Sequence, residues 1–278
     1  MPPPPVWSFT TEPATPRTPH VMLVAFSIGP LAENVPLSLS KFGVPSAEHA
    51  GMLDVRSIAR NVDPRWLDGW RSGSLRTIAA DDLGAAALAE LDAADHAHVV
   101  QASPDGAADL GYLQAAWGVT RHLVARGASV VLDVHAMTFY RGDALAAPDA
   151  ALDVTRELRV VFESDSTRPD GAHALHTRGL KKFGAPDLVA LCSPGDARLV
   201  SDVIAQLADA VARGGDLELP RHGVDLDAGT TWYAVDDEHG LADILGLNNA
   251  ARILVDDRGR HLVGVLGRLR SGRDRPLA

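Results

Sequence analysis

Residues 157–214 carry the clearest structural signal in the sequence, and they read ELRVVFESDSTRPDGAHALHTRGLKKFGAPDLVALCSPGDARLVSDVIAQLADAVARG. The apolar positions over 158–163 recur with the two-residue period of a strand that has one buried face. Pro169-Asp170-Gly171 then supplies the residue types of a turn, and a second extended run follows it. The start of the stretch therefore predicts a β-hairpin, and a symmetric loop would place Glu163 opposite His173.

A short helix, a buried strand and a long helix are predicted after the hairpin. Thr177 stands where it would cap the short helix, and Gly184 where it would end that helix in the left-handed conformation. At least one of Gly179 and Gly184 should have a positive φ, because the chain turns twice within about ten residues. Ser193-Pro194 would open the long helix. Its apolar stripe is predicted to consist of Val200, Val203, Ile204, Leu207 and Val211.

The order T-x-G-L-x-x-F-G-x-P-D from Thr177 to Asp187 resembles a motif of a bacterial domain-of-unknown-function family. The downstream stretch 226–231, LDAGTT, is similar to that family's closing D-G-x-T turn, although Ala228 interrupts it. The resemblance covers about residues 157–233, and its glycines and prolines fix backbone geometry. It implies an intracellular bacterial α/β domain, and it brings no catalytic residues with it.

An internal similarity links residues 99–132 with residues 189–219. Each segment reads as a strand, a helix opened by Ser-Pro, an Arg-Gly stop and a second strand. Ser103 and Ser193 are interpreted as the helix caps rather than as nucleophiles. Such starts and stops are common in unrelated helices, but their shared order favours two related halves. The predicted fold class is α/β or α+β, with two related sheet-and-helix halves that each contain a β-α-β unit, and the two units should superpose.

The predicted domain organisation has four parts. Residues 1–20 contain seven prolines and are expected to form a disordered Pro-rich arm with little packing. Residues 21–150 form the N-terminal α/β half, and residues 151–267 form the C-terminal half with the family-like motif. Residues 268–278 form a basic tail. Further strands are predicted at 21–26, 53–58, 98–102, 129–134, 231–235, 253–255 and 261–266, and a further helix at 81–91.

Charge and cysteine content limit the partners and the compartment. A net charge of −10 argues against a nucleic-acid or anionic-membrane partner, because phosphate binding requires clustered Lys and Arg. Cys192 is the one cysteine of the sequence, so an internal disulfide is excluded and a reducing compartment is expected. No apolar run reaches the ~20 residues of a membrane helix, and the N-terminus lacks a signal-peptide pattern. We therefore expect a cytoplasmic protein without nucleic-acid or membrane partners.

The candidate site is built from five polar residues, which are Asp133, His135, Glu163, His173 and His176. Asp133 and His135 are two apart in a predicted strand, so they would project from one face of the sheet. Asp133, His135, Glu163 and His173 are the candidate acid and base groups for catalysis. Asp133, His135, His173 and His176 are the candidate ligands of a divalent metal. The spacing matches no known motif, and an ordinary wet sheet face explains the same residues.

The sequence favours a cytoplasmic bacterial domain that binds a ligand or a protein without catalysis. The alternative is a metal-dependent or acid/base hydrolase that acts on a small molecule through Asp133, His135, Glu163 and His173. Convergence of those side chains in a cleft would favour the enzyme over the binding domain. Apart from a possible divalent metal, no cofactor is predicted. The partner is an unknown protein or small molecule, and the sequence does not predict an oligomeric state.

Overall fold

The computed structural model describes residues 4–14, 16–32, 35–163, 173–192, 194–215, 223–227, 230–235, 251–257 and 260–263. The chain divides into two compact units. Unit 1 comprises Met1–Phe9 and Pro16–Asp153, and unit 2 comprises Thr10–Thr15 and Val154–Ala278. Over the described ranges, no helix combines the length and the apolar character that crossing a membrane requires.

Unit 1 is a five-stranded sheet with helices on both faces. Its elements are β1 (Val21–Ser27), α1 (Leu39–Phe42), α2 (Ala47–Gly51), β2 (Leu53–Ala59), α3 (Pro64–Gly69), α4 (Gly73–Ala93), β3 (His96–Ala102), α5 (Gly111–Ala125), β4 (Val130–Asp133) and β5 (Thr138–Arg141). The strand order is β2-β3-β1-β4-β5, and every pair of neighbours is antiparallel. Helix α5 joins β3 to β4 across β1, and α1 and α2 join β1 to β2 across β3, so the sheet contains two interlocked split β-α-β units.

The core of unit 1 lies between the sheet and α4. Val24 and Phe26 of β1 and Val99 of β3 pack with Leu83 and Leu91 of α4 in one buried cluster. On the opposite sheet face α5 is buried over most of its length, which includes the fully buried Tyr112 and Leu113. The continuous apolar run of β1 follows from this arrangement, because a central strand between two helical layers buries both faces.

Part of the N-terminal segment, expected from the sequence to be a disordered arm, is hydrogen-bonded to the rest of unit 1, although most of its described residues are exposed. Trp7 donates its indole N–H to the carbonyl of Ala150 at 3.0 Å, and its backbone N–H to Gln114 Oε1 at 2.9 Å. Gln114 in turn donates to the carbonyl of Pro5 at 3.0 Å. A proline-rich segment has little conformational entropy to lose, so one indole and one buried amide hold it in place.

Unit 2 contains a second, larger sheet. Its elements are α6 (Val154–Glu157), β6 (Arg159–Glu163), β7 (His173–Arg178), a 3₁₀ turn (Leu180–Phe183), β8 (Leu188–Cys192), a second 3₁₀ turn (Pro194–Asp196), α7 (Ala197–Ala212), β9 (Gly223–Asp227), β10 (Thr230–Val235), β11 (Ala251–Asp257) and β12 (Arg260–Val263). The strand order is β6-β7-β8-β11-β10-β9, and β12 pairs with β11. Only β8 and β11 pair in parallel among these described strands. The predicted α/β or α+β class is thus confirmed.

Several predictions about unit 2 are confirmed by its geometry. Gly179 has φ 111° and Gly184 has φ 66°, so both glycines flank the 3₁₀ turn in the left-handed region. All five residues of the predicted apolar stripe of α7 are buried. Thr177, however, does not cap the 3₁₀ turn, because Gly179 stands at the N-cap position and the Thr177 hydroxyl bonds elsewhere.

Ser103 also differs from its predicted role as a helix cap. Helix α5 begins at Gly111, and the intervening residues form a turn in which Gly106 has φ 65°. Pro104-Asp105-Gly106 is turn chemistry, and it stops the chain from entering a helix directly. Ser193 and residues 216–219 of the second proposed repeat lie outside the described residues. The internal repeat is therefore not confirmed.

Candidate functional site

Asp133 and His135 both belong to unit 1, but only Asp133 lies on a strand. Strand β4 ends at Asp133, and the chain then turns into β5, with φ 52° at Met137. Buried Asp133 accepts the backbone N–H groups of His135 and Ala136 through Oδ1, both at 3.1 Å. Asp133 thus shapes this turn, as aspartates commonly do. The expectation that both side chains project from one strand face is wrong, because the turn begins between them.

His135 instead joins a directional chain of hydrogen bonds. Arg56 Nη2 donates to Gln101 Oε1 at 3.0 Å, which orients the Gln101 amide. Gln101 Nε2 then donates to His20 Nε2 at 3.0 Å, so the proton of neutral His20 is on Nδ1. His20 Nδ1 lies 2.7 Å from His135 Nε2, the remaining acceptor. This arrangement links Gln101 of β3, through His20 just before β1, to the turn that follows β4.

Glu163, His173 and His176 belong to unit 2. Glu163 pairs with Ala174, and His173 pairs with Cys192 of β8, so Glu163 is one residue out of the predicted register. The strand pairing on both sides of β7 sets the register, and the symmetry of the loop does not. His176 is fully buried, and its Nδ1 lies 3.3 Å from the carbonyl of Thr177. The side chains of Glu163 and His173 lie outside the described residues.

The family-like motif forms a buried polar network. The Thr177 hydroxyl donates to Asp187 Oδ1 at 3.1 Å and accepts the Leu188 N–H at 2.6 Å. Asp187 Oδ1 also accepts the Leu180 N–H at 3.2 Å. Burial raises the pKa of Asp187 to about 7, against the opposing effect of these hydrogen bonds and of Arg178 and Lys182. The network ties the two ends of the 3₁₀ turn to each other, which is a structural role.

A fully buried ion pair accompanies this network. Lys182 Nζ lies 2.6 Å from Glu157 Oε2, and both side chains are almost inaccessible to solvent. Two charges removed from water are stable only when they neutralise each other. The pair joins α6 to the 3₁₀ turn. Because both side chains are almost inaccessible to solvent, they offer no surface to a ligand.

His98 in unit 1 is held between two serines. Ser27 donates to the carbonyl of Gly29 at 2.6 Å, so it accepts from His98 Nε2 at 3.0 Å. His98 Nδ1 is then the acceptor for the exposed Ser57 hydroxyl at 2.8 Å. Burial, reinforced by His96 and Arg126, lowers the pKa of His98 to about 4. A lowered pKa makes this imidazole a weaker proton acceptor, which disfavours it as a general base for Ser57.

A second serine–histidine contact includes a carboxylate. Ser46 Oγ lies 2.7 Å from His49 Nδ1, and His49 Nε2 lies 3.2 Å from Asp109 Oδ1. This is the order of contacts in a nucleophile–base–carboxylate triad. Ser46 is also the N-cap of α2 and accepts the His49 N–H at 3.2 Å, which explains its position without catalysis. Asp109 Oδ1 likewise accepts the Gly111 N–H at 2.7 Å, at the start of α5.

Unit 1 has a recess lined partly by charged residues. A cavity of about 480 Å³ lies beside α4, and Gly84, Glu90, Arg141 and Asp143 are part of its lining. Arg141 is hydrogen-bonded to Asp143, so those two charges neutralise each other. Within the described ranges, no cluster of three or more His, Cys, Asp or Glu side chains could hold a metal ion.

Strand β2 is an accessible element of unit 1. It forms one edge of the sheet, and its four central residues, 54–57, are all exposed. Val55 is 45% exposed, and Met52 and Val62 near its ends are also exposed. The pairing of all seven β2 residues with β3 is regular, without a bulge or a proline. Natural edge strands are usually shortened, bulged, covered or given charged side chains. Strand β2 is long and regular, and it carries the charges of Asp54 and Arg56. Among the described strands only β3 pairs with it.

The outward-facing backbone groups of β2 follow from the ladder. Arg60 donates its N–H to the carbonyl of Asp95, which extends the register of β2 with β3. In an antiparallel pair alternate residues bond to the partner strand. The even-numbered residues of β2 therefore bond to β3, and Leu53, Val55, Ser57 and Ala59 point their N–H and C=O groups away from the sheet. An independent bond gives the same assignment. Val134 donates its N–H to the carbonyl of Met22, so the even-numbered residues of β1 bond to β4 and its odd-numbered residues bond to β3. The odd-numbered residues of β3 are then left to bond to the even-numbered residues of β2.

Comparisons of the chain with protein-family models, with curated proteins and with solved structures found no match. The geometry of the site therefore stands without support from relatives. The sequence predicts a strand at 53–58, where Leu53 and Val55 alternate with charged residues and no proline occurs. No local signal shows that this strand is at an edge, because strand order depends on contacts between distant residues.

Proposed function

We propose that the protein is a non-catalytic binding protein that accepts an extended peptide segment as an additional strand along β2. The outward-facing N–H and C=O groups of Leu53, Val55, Ser57 and Ala59 are the observation that carries this proposal. Strand addition satisfies such groups with main-chain hydrogen bonds, and alternate side chains then provide specificity. The exposed Val55 favours an apolar residue on one face of the incoming strand.

The opposite face of β2 adds a charge requirement. Asp54 and Arg56 lie on that face and form an exposed ion pair at 2.9 Å. A strand that carries both charge signs in alternation can pair with both residues, whereas a strand with one sign is repelled by one of them. We therefore propose a peptide ligand with mixed charge on one face and apolar residues on the other.

The proposed setting is the bacterial cytoplasm, without a nucleic-acid partner. Its support is the family resemblance of residues 157–233, the net charge of −10 and the single cysteine, Cys192.

Peptide-display selection against the intact chain tests the binding function. Val55→Pro is the matched variant, because it removes an outward-facing N–H and leaves the bonds to β3 intact. We expect wild type to enrich alternating apolar and charged peptides, and Val55→Pro to lose their binding while its melting temperature changes little. Peptides that bind both proteins equally, or no enriched peptides at all, would contradict the proposal.

Hydrolysis is the second candidate function, and the contacts of Ser46 with His49 and of His49 with Asp109 favour it. A fluorophosphonate probe labels a serine only when a base activates it. If the triad is functional, Ser46 should be labelled in wild type and in Ser57→Ala, and His49→Gln should abolish the label. Absence of label from wild type would leave Ser46 with its helix-capping role alone.

A further inference from the structure

We infer that the strand accepted by β2 is the β2 strand of a second copy of this chain, antiparallel to the first and centred on Val55. This inference rests on the proposed strand-addition function and identifies its partner. A dimer formed in this way joins the two five-stranded sheets of two copies of unit 1 into one continuous sheet. Isologous association of this kind is the commonest form of symmetric assembly.

Two-fold symmetry and backbone direction together restrict the register. Only the odd-numbered residues of β2 point their N–H and C=O groups outward, so they must lie opposite odd-numbered residues, and one residue of β2 then lies opposite itself. A centre at Asp54 places two carboxylates opposite each other, and a centre at Arg56 does the same with two guanidinium groups. Like charges directly opposite in a ladder are destabilising. Both residues are well exposed, at 62% and 61%, so they would meet the partner strand directly. These two registers are therefore excluded by charge.

A centre at Val55 places opposite charges, rather than like charges, across from each other. Asp54 then lies opposite Arg56 of the second copy, and Arg56 opposite Asp54 of the second copy. These are non-hydrogen-bonded positions, where side chains approach most closely. With the ion pair already present within each strand, the four charges alternate around the two-fold axis.

The same centre matches the backbone groups and the apolar face. Val55 faces its own counterpart at a hydrogen-bonded position, and Leu53 faces Ser57 of the second copy. All three residues point their N–H and C=O groups outward, so each of these pairs can form its ladder bonds. The exposed Val55 side chain is buried against its equivalent, which removes one of the exposed apolar side chains of the monomer.

Centres elsewhere on β2 are less favourable. A centre at Ser57 places Asp54 opposite Arg60, which lies beyond β2 and already contacts Asp68 at 3.3 Å and Asp95 at 3.7 Å. A centre at Leu53 leaves Arg56 without a partner residue inside the strand. Among the centres at residues 53–57, Val55 is thus the one that satisfies charge, backbone and exposure together.

Charge exchange tests the partner. Asp54→Arg and Arg56→Asp should each be monomeric in a sedimentation-velocity dilution series in which wild type dimerises, because each places like charges opposite each other. An equimolar mixture of the two variants should form a heterodimer, since the two arginines of one variant then face the two aspartates of the other. The doubly exchanged chain should dimerise with itself. Dimers that persist unchanged in both single variants would overturn the inference.

Disulfide trapping tests the register. In a Cys192→Ser background, Val55→Cys places two thiols at directly opposite positions, within the Cα separation that a disulfide spans. Ser57→Cys is the matched control, because it is exposed on the same face but lies opposite Leu53. We expect rapid oxidative cross-linking of Val55→Cys and little of Ser57→Cys. The reverse order would show that the register is wrong.

The two proposals fail separately. A wild-type chain that stays monomeric at every concentration, but still binds displayed peptides that Val55→Pro does not bind, overturns the second-copy inference and leaves strand addition intact. A monomeric chain that also selects no peptide overturns both. A dimer that Val55→Pro does not disrupt uses a different surface and also overturns this inference.

Discussion

Gly179 combines a left-handed backbone with a close neighbour. Its φ is 111°, and a Cβ at this position would lie 2.4 Å from the carbonyl oxygen of Glu157. Gly127 has φ 120° but has nothing within 4 Å of an added Cβ, so it is a matched control. We expect Gly127→Ala to cost about 1 kcal/mol in unfolding free energy and Gly179→Ala to cost clearly more. Equal costs in urea unfolding would show that the contact with Glu157 relaxes.

Glu157 and Lys182 should behave as a pair in a double-mutant cycle. Removing one partner leaves the other as an unpaired buried charge, which typically costs about 3–5 kcal/mol. We expect Lys182→Met and Glu157→Gln each to destabilise unit 2 strongly, and the double variant to recover most of the loss. Additive effects of the two substitutions would contradict direct coupling across the 2.6 Å contact.

Helix α4 depends on a side chain that precedes it. Arg71 Nη1 donates to the carbonyl oxygens of Leu91, Asp92 and Ala94, at 3.0, 2.9 and 2.7 Å. These groups lie at the C-terminal end of the helix, where carbonyls lack partners and a positive charge is favourable. The last turn of α4 has no basic residue of its own, so the capping charge comes from the segment before the helix.

Arg71→Met should therefore cost about 1–3 kcal/mol in thermal or urea unfolding of unit 1, because three carbonyls lose their donor. Arg76→Met is the matched control, since Arg76 makes an exposed ion pair with Asp92 at 2.8 Å. Exposed pairs contribute less than about 1 kcal/mol. A larger loss from Arg76→Met than from Arg71→Met would show that the capping bonds are not the stabilising contacts.

Sequence patterns predicted the elements whose signal is local. Strand β2, the β6–β7 hairpin and the buried stripe of α7 followed from residue periodicity, and the positive φ of Gly179 followed from the tight turn. The start of α5 was missed, because a Ser-Pro cap and a Pro-Asp-Gly turn compete at residues 103–106 and the turn forms. The turn after Asp133 was missed because its side-chain bonds, rather than any glycine or proline, define it.

The candidate site was less predictable than the elements. His135 was identified as a site residue, but its contact with His20 depends on strands that are distant in the sequence. The same holds for His98 between Ser27 and Ser57. Strand order decides which histidines meet and which edge remains open, and a single sequence contains no local signal for strand order.

The two units should respond to pH in opposite directions. In unit 2 the pKa of Asp187 is raised to about 7 in the folded state, from 3.8, so the stability of unit 2 falls as pH rises between these values. In unit 1 the pKa of His98 is lowered to about 4, from 6.5, so the stability of unit 1 falls as pH drops between these values. One pKa unit corresponds to about 1.4 kcal/mol, so each effect amounts to a few kcal/mol.

Calorimetry at several pH values between about 4 and 7 checks this prediction. Gly179→Ala identifies the transition of unit 2, because it lowers only that transition. Asp187→Asn should flatten the pH dependence of unit 2, and His98→Gln should flatten that of unit 1. Two transitions that shift in the same direction with pH, or substitutions that leave both slopes unchanged, would contradict the assignment.

Gly84 interrupts α4 with φ 71° and ψ 170°, and this break divides 21 residues into two shorter helical runs. Runs of this length fall below the roughly 12–15 residues at which an isolated helix becomes stable in water. Neither run should therefore stay helical when its packing against the sheet is lost. The helical hydrogen bonds of one run also cannot continue through Gly84 into the other. Amide exchange should consequently report two separate opening events along α4, with independent protection factors before and after residue 84.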